Sequence, residues 1–186
     1  YACETDKAFD GIPAEYDWCF YIQGDEAVHE KYLSEIVKSM HQNLEDRNVE
    51  GLLFRYKHFY GTYDYVANSR KWYRNEIRLI RNDKNIRSYR DAQGFRKNGR
   101  KLKVVSVDAE IYHYGWVRHP KYMQEKIESV KQYYDGISAE EAQQKAVKQE
   151  FNYRENYDAL SRFEGTHPNI MQERIQRLNW QMKADT

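Results

Sequence analysis

The chain has 186 residues, of which 30 are Lys or Arg and 29 are Asp or Glu, so its formal net charge is +1. This length suffices for one domain with a substantial core. The near-neutral charge excludes a strong overall field of the kind that attracts nucleic acids or membranes, and no apolar run approaches the roughly 20 residues that a transmembrane helix needs.

The first part of the chain predicts a helix followed by a strand. Residues 1–9 have the pattern of a helix interior, the helix ends near Gly11, and no initiator Met is present, so we expect a further segment upstream. Residues 18–22 form an uninterrupted apolar run, which predicts a strand buried on both faces, as in a parallel sheet. Cys19 in this run is predicted to be a buried thiol. With Cys3, the only other cysteine, it indicates neither a disulfide framework nor a zinc site and favours a reducing compartment.

The middle of the chain alternates helices and strands. Apolar residues recur at every fourth position over residues 27–45, which predicts an amphipathic helix. Residues 49–59 predict a strand that ends at the turn of Gly61, and the polar–apolar alternation of residues 76–81 predicts a half-buried strand. The remaining predictions for this part are a turn over residues 82–85, a loop region over residues 93–99, and two last strands over residues 103–107 and 109–114.

Beyond residue 120 the pattern is helical. The three predicted helices cover residues 121–134, 139–150 and 168–182, the last with Pro168 at its start. Alternating helices and strands followed by helices alone predict an α/β fold, with a sheet-containing part over residues 1–118 and a helical C-terminal extension over residues 119–186.

An acidic cluster directly follows the strand at residues 18–22. Ligands of open α/β sheets sit beyond the carboxyl ends of the strands, so Asp25 and Glu26 are candidates for binding a metal or a phosphate-bearing ligand. Gln23 and Asp25 also resemble the Asp-x-Asp element of nucleotide-sugar enzymes, which holds a divalent cation against the two phosphates of the donor. Hard oxygen ligands of this kind suit Mg²⁺ or Mn²⁺. The alternative is that Asp25 caps the next helix.

His113 lies at the end of the last predicted strand and is the second candidate. Its imidazole could complete a metal site with Asp25 across the ends of the sheet. The alternative is a packed, hydrogen-bonded histidine among aromatic residues. His58 is ambiguous in the same way, and His29 is interpreted as a helix residue near the site that is not a ligand.

Charge and aromatic residues concentrate in the middle of the chain. Residues 70–103 contain 13 basic and 3 acidic residues, which indicates local binding of an anionic ligand, although a solvated, Arg-rich edge is the alternative. Aromatic residues near Gly61, such as Trp72, suit sugar rings or nucleobases, and ordinary core packing is the alternative for each.

Taken together, these motifs resemble bacterial family 2 glycosyltransferases of the GT-A fold. The matching segments follow one another in order over nearly the whole chain: residues 17–32, 50–54, 58–61, 70–78, 88–95, 112–117 and 163–168. The resemblance implies a GT-A-like mixed sheet flanked by helices. It also implies metal-dependent, inverting transfer of a sugar from a nucleotide-sugar donor to a glycan or lipid-linked acceptor, as in the synthesis of cell-surface polysaccharides.

The resemblance also implies where the protein works and which residues take part. We expect a cytoplasmic protein with at most peripheral contact with the inner face of the membrane and with no nucleic-acid partner. Asp25 would hold Mn²⁺ or Mg²⁺, and His113 would be the distal metal ligand or would contact the diphosphate. Asp91 matches the position of the family's catalytic base, but residues 91–93 lack its usual acid pair, so Glu76 competes for that role. The residues expected to contact substrate are Gln23, Glu26, Trp72, Arg78, Arg90 and Tyr114.

The front of the chain departs from the family pattern. Relatives of this kind carry an N-terminal strand–helix–strand portion that grips the base and ribose of the nucleotide, and this chain begins after it. We therefore expect weak nucleotide binding by this chain unless a further segment or a partner chain restores that portion. Two alternatives stay open, a non-catalytic interaction protein of transferase descent and a nucleic-acid-binding module built on residues 70–103.

Overall fold

A computed structural model gives the structure of residues 2–90, 94–135, 150–155 and 159–182. The α-helices in these ranges are α1 (Ala2–Asp10), α2 (Leu33–Gln42), α3 (Pro120–Asp135) and α4 (Gln172–Leu178). The strands are β1 (Trp18–Phe20), β2 (Glu26–Val28), β3 (Gly51–Gly61), β4 (Tyr65–Ala67), β5 (Asn75–Arg81), β6 (Ile86–Tyr89), β7 (Gly94–Lys97), β8 (Arg100–Lys101), β9 (Val104–Val117) and β10 (Leu160–Arg162). The predicted α/β class is confirmed, and the GT-A arrangement stays a prediction.

The chain forms two compact units. The first unit comprises Tyr1–Lys57 and Tyr73–Tyr112, and the second comprises His58–Trp72 and His113–Thr186. The division therefore falls within β3 and β9, each of which contributes residues to both units. The boundary that the sequence suggests after residue 118 stays a prediction.

The first unit contains a sheet in which β5 lies between β1 and β3. Both pairings are antiparallel, with Trp18 opposite Arg81 and Gly51 opposite Ile80. Strand β9 pairs with β2 and β3. Apolar side chains from β3, β5 and β9 meet Ile36 of α2 in one core, since strand residues two apart share a face. The strand residues buried in this core include Leu52, Phe54, Leu79, Val107, Ala109 and Ile111.

The interpretation of residues 18–22 as a parallel strand buried on both faces is wrong. Strand β1 is only three residues long, is antiparallel to β5, and alternates a buried Cys19 with an exposed Phe20. A short apolar run does not reveal which faces of a strand are covered. The predicted burial of the Cys19 thiol is confirmed.

The helix predicted over residues 27–45 begins later than expected. Residues 26–28 form β2, a 3₁₀ turn covers Glu30–Tyr32, and α2 begins at Leu33. The repeating apolar residues do face the core, because Ile36 is buried in it and Val28 packs against it. The periodicity therefore found the core-facing residues but did not distinguish a strand and a turn from a helix.

A second sheet in the first unit consists of β6, β7 and β8. Strand β7 is antiparallel to both neighbours, and its hairpin to β8 turns at Asn98 and Gly99, which have φ angles of 48° and 79°. An Asn-Gly pair favours such a tight hairpin, so the loop predicted here is the turn between two short strands. Helix α1 lies against β6, where the backbone N–H of Ser88 donates to Asp6 Oδ1 at 2.7 Å.

Several other predicted elements are confirmed with small changes of length. Strands β3 and β5 match residues 49–59 and 76–81, and α3 matches residues 121–134. The two last strands predicted are continuous as β9. The helix predicted at 139–150 lies outside the described residues, except for residue 150. The helix predicted at residues 168–182 is shorter, because a 3₁₀ turn precedes α4 and the α-helix ends at Leu178.

The second unit is built around β4 and an aromatic core. Strand β4 is antiparallel to the end of β3 and to β10, with His58 and Leu160 both opposite Ala67. The buried residues of this core are Tyr60, Ala67, Met123, Tyr153 and Met182. In the part of the chain that the structure describes, no helix has both the length and the apolar character needed to cross a membrane.

Candidate functional site

Glu26 and Arg78 form a buried ion pair in the first unit. Glu26 begins β2, and Arg78 lies in the middle of β5. Arg78 Nε donates to Glu26 Oε2 at 2.9 Å and Nη2 donates to Oε1 at 2.7 Å. The two side chains are only 0% and 2% exposed. Removing two charges from water is costly, so such a pair persists only with good geometry and further hydrogen bonds, as the two-point contact provides.

Further groups complete the hydrogen bonding of this pair. The Tyr56 hydroxyl donates to Glu26 Oε1, and the backbone N–H of Gln23 donates to Oε2 at 3.2 Å. The guanidinium of Arg78 lies 5.2 Å from the ring centre of Tyr56 and 5.5 Å from that of Tyr21. We call Glu26, Tyr56, Glu76 and Arg78 the carboxylate cluster. Within it Glu26 fixes Arg78 in place, and its predicted contact with substrate stays a prediction.

Glu76 is the group of the carboxylate cluster whose pKa lies near neutrality. It precedes Arg78 by two residues on β5, so both side chains point to the same face of the strand. Its Oε2 accepts a hydrogen bond from Arg78 Nη1 at 3.5 Å. Burial raises the pKa of Glu76 to about 7, an effect that Arg78 opposes and the negative charge of Glu26 reinforces. A carboxyl group with a pKa near neutrality is well suited to accept and release a proton.

Asp25 and Gln23 lie in the segment between β1 and β2. Gln23 Nε2 donates to the Tyr21 hydroxyl at 3.2 Å. The pKa of Tyr73 is raised by burial first and by Glu76 next, and the charge of Asp25 contributes to the same shift. Asp25 therefore lies close enough to Tyr73 to act on it electrostatically.

The idea that Asp25 caps the next helix is wrong. The segment continues into β2, and the 3₁₀ turn that follows is capped by His29, whose Nδ1 accepts a hydrogen bond from the backbone N–H of Lys31 at 3.3 Å. The described residues contain no group of three or more His, Cys, Asp or Glu side chains arranged to hold a metal ion. The metal-binding role of Asp25 stays a prediction.

His113 is in the second unit, where it contacts His58. The two Nδ1 atoms are 3.1 Å apart, and the residues are 9% and 2% exposed. One Nδ1 must donate and the other accept, so the two rings share a hydrogen bond. The Trp72 ring lies 4.8 Å from that of His58. This is the packed environment that the alternative interpretation of His113 predicts, while its role as a metal ligand stays a prediction.

Tyr114 belongs to a second aromatic group. Its ring stacks on Phe59 at 4.7 Å, and its hydroxyl lies 2.9 Å from His167 Nδ1. His167 Nε2 lies 3.1 Å from the carbonyl oxygen of Tyr63, which can only accept, so Nε2 carries the proton and Nδ1 accepts from Tyr114. We call Phe59, Tyr63, Tyr114, Phe163 and His167 the aromatic cluster. Tyr114 is 6% exposed, and its predicted substrate contact stays a prediction.

The remaining predicted site residues fall elsewhere. Arg90 is exposed, has a φ of 57°, and places its guanidinium 5.2 Å from the Tyr89 ring. Asp91 lies outside the described residues. Among the candidates, the structure thus collects Gln23, Asp25, Glu26, Glu76, Arg78 and Arg90 in the first unit and Trp72, His113 and Tyr114 in the second.

The basic stretch over residues 70–103 uses much of its charge within the first unit. Arg100 and Lys97 bind Glu50 at 2.5 and 3.1 Å, and these contacts, led by the hydrogen bond from Arg100, hold the pKa of Glu50 at about 2. Arg81 donates to backbone carbonyls that include those of Val49 and Leu44. Part of the charge of this stretch is therefore used within the first unit, and the interpretation of the stretch as a nucleic-acid-binding face stays a prediction.

Sequence reasoning missed Tyr56 and Tyr73, which surround Arg78 and Glu76. A signal for the ion pair existed, because an Arg between apolar strand residues needs a partner when buried. The sequence could not name Glu26 as that partner, since the two residues are 52 positions apart.

No protein-family model matches this chain, and no curated protein sequence matches it. The resemblance to family 2 glycosyltransferases therefore depends on the motifs of the chain itself.

Proposed function

We propose that this chain acts as a glycosyltransferase, moving a sugar from a nucleotide-sugar donor to a hydroxyl of a glycan or lipid-linked acceptor. The observation that carries the proposal is Glu76, a partly buried carboxyl group with a pKa of about 7 held beside Arg78. Such a group suits the proton transfer that this reaction needs at neutral pH. The ordered motifs of the sequence support the same reaction class.

In an inverting transfer, Glu76 accepts the proton of the acceptor hydroxyl. The hydroxyl oxygen forms a bond to the anomeric carbon of the donor sugar. The bond from that carbon to the phosphate oxygen breaks on the opposite face, and the nucleoside diphosphate leaves with the electron pair. Arg78 positions the base, since its guanidinium is fixed by Glu26 and lies 3.5 Å from Glu76.

Asp25 is the residue that would hold a divalent cation in this reaction. Mg²⁺ is commonly bound by one or two carboxylates together with the phosphates of the substrate, so the half-buried carboxylate of Asp25 suits the role without a three-residue cluster. When bound, Mg²⁺ or Mn²⁺ would neutralise negative charge on the departing diphosphate. The free thiols Cys3 and Cys19 fit the proposed cytoplasmic location.

The test is a transfer assay on the natural protein that carries this chain, with UDP-, GDP-, CDP- and dTDP-sugars and Mn²⁺. We expect release of one nucleoside diphosphate, and loss of about 10²- to 10⁴-fold in rate for Glu76→Gln, since a general base contributes on that scale. Glu35→Gln is the matched control, because Glu35 pairs with Lys38 on the surface of α2.

Two results would contradict the proposal. One is an unchanged rate for Glu76→Gln. The other is a folded protein that turns over none of the donors and is indifferent to cation and nucleotide, which would favour a non-catalytic interaction protein of transferase descent.

A further inference from the structure

The second unit contains a cavity of about 570 Å³, within the size range of small-molecule sites. Aromatic and amphipathic side chains line it. Those that matter here are Tyr60, Trp72, Trp116, Lys71, Gln124 and Lys131.

Two indole rings form a right-angled corner at this cavity. The ring centres of Trp72 and Trp116 are 5.8 Å apart with their planes at 87°. The buried Tyr60 ring lies nearly parallel to Trp116, at 24° and 5.9 Å, and packs against it. Both indoles are only partly buried. A pyranose can place its C–H face on one indole and its edge against the other, so the corner offers a contact for both surfaces of a sugar ring.

The polar side of the cavity carries two ammonium groups, one of which is paired with Glu128. Lys71 and Lys131 contribute ammonium groups, and no Asp or Glu is found among the described residues that line the cavity. Ammonium groups in a partly apolar site favour an anionic ligand group through charged hydrogen bonds.

Glu128 holds this polar side in position from within α3. It is 4% exposed, and its Oε1 accepts hydrogen bonds from Gln124 Nε2 at 2.8 Å and from Lys131 Nζ at 3.1 Å. The three residues lie at spacings of three and four along the helix, which places them on one face. Lys131 and Gln124 are therefore oriented before any ligand arrives, which lowers the entropic cost of binding.

We propose that this cavity binds an acidic saccharide. A pyranose ring packs into the corner of Trp72 and Trp116, and its anionic substituent bonds to Lys71 and Lys131. The inference goes beyond the proposed transfer reaction and needs no catalytic step. It would hold equally for a saccharide-binding protein without transferase activity.

The test is a binding titration with saccharides, followed by calorimetry and by tryptophan fluorescence. No nucleotide-sugar donor is present, so the result does not depend on whether the protein transfers sugar. The probes are a hexuronic acid disaccharide, its neutral hexose counterpart and a hexose phosphate. We expect the acidic disaccharide to bind at least about tenfold more tightly than the neutral one, the effect of one charged hydrogen bond. Relative affinity for the hexose phosphate tells whether carboxylate or phosphate is preferred.

Variants test which lysines cause the preference for the acidic disaccharide. Lys71→Gln with Lys131→Gln should abolish the preference for the acidic disaccharide and leave binding of the neutral one unchanged. Lys71→Gln alone should weaken the preference, and it keeps the test valid if loss of Lys131 unfolds the chain by leaving Glu128 unpaired. Lys121→Gln is the control, because Lys121 is an exposed residue of α3, the helix that also carries Lys131.

Three results would overturn the proposal. They are equal affinity for the acidic and neutral disaccharides, an acidic preference that is undiminished in a folded Lys71→Gln variant, and no binding of the acidic disaccharide by the folded wild type at millimolar concentration.

Discussion

In the carboxylate cluster of the first unit the buried groups include an ion pair, whereas the aromatic cluster of the second unit consists of rings in directional contact. Glu26 and Arg78 are 0% and 2% exposed and depend on each other for compensation. Tyr114 and His167 share one hydrogen bond among stacked rings. Burial of a carboxyl group raises its pKa, as in Glu76, and this prepares the group for proton transfer. Packed aromatic rings instead form a surface of defined shape, which suits ligand binding.

Among the variants that test this difference, replacement of Arg78 should lower the free energy of unfolding the most. Arg78→Met leaves Glu26 buried without its cation, so we expect the free energy of unfolding to fall by about 3–5 kcal/mol. Urea denaturation measures the change. Arg87→Gln is the control, since its bond to Asp10 is exposed and should be worth less than about 1 kcal/mol. Equal losses in the two variants would mean that the buried pair does not organise the first unit.

The second effect is a pH dependence that comes from Glu76. Its pKa is raised to about 7 in the folded protein, so between about pH 4.5 and 7 the folded state binds more protons than the unfolded state. Its contribution to the free energy of unfolding is therefore fully present below pH 4.5 and is lost as the pH rises through 7, on the order of 3 kcal/mol.

Thermal unfolding from pH 4.5 to 8 compares the wild type with Glu76→Gln. The variant should lack this decline, because an amide does not titrate. The shift of Glu50 has the opposite sign, since its pKa is held at about 2, and its contribution is lost only as the pH falls below 4.5. Parallel stability curves for wild type and variant between pH 4.5 and 7 would refute the assigned pKa.

In the second unit, the expected effects are those of packing. Gly61 has a φ of 73°, and a Cβ there would lie 2.7 Å from Met182 Sδ. Gly61→Ala should lower the free energy of unfolding by about 1–2 kcal/mol, the cost of a left-handed conformation for an L-residue. Gly24→Ala is the control, because a Cβ there meets nothing within 4 Å. Indistinguishable unfolding midpoints for the two variants would show that Gly61 is not under this constraint.

The smallest effect is at the hydroxyl of Tyr114. Tyr114→Phe removes its hydrogen bond to His167 and leaves the stack on Phe59, so we expect a loss of about 1 kcal/mol in the free energy of unfolding. Tyr122→Phe, at a residue that is 55% exposed, should change nothing measurable. A loss at Tyr114 as large as that at Arg78 would remove the contrast between the two clusters.

The sequence predicted the long elements better than the short ones. Strands β3 and β5 and helix α3 carry clear patterns over many residues and are confirmed. Strands β6, β7, β8 and β10 are two to four residues long and were not predicted, because so few residues establish no periodicity. The antiparallel partner of β1 was equally hidden, since pairing between distant segments is set by tertiary contacts.

For the site, the sequence selected the right residue types but not their relations. Glu26, Glu76 and Arg78 were all candidates, yet nothing local shows that Arg78 bridges the two glutamates. The raised pKa of Glu76 comes mainly from burial, which only the folded chain creates. For His113, a sequence motif suggested a metal ligand, whereas only the structure shows that this side chain contacts His58.

The most direct test of the central claim is the pH dependence of kcat/KM for sugar transfer by the natural protein. If Glu76 is the base, the rate rises with pH through a pKa near 7, and Glu76→Gln removes that rise. A rise centred near pH 4, the ordinary range of an unperturbed carboxyl group, would contradict this account and point to another base such as Asp91.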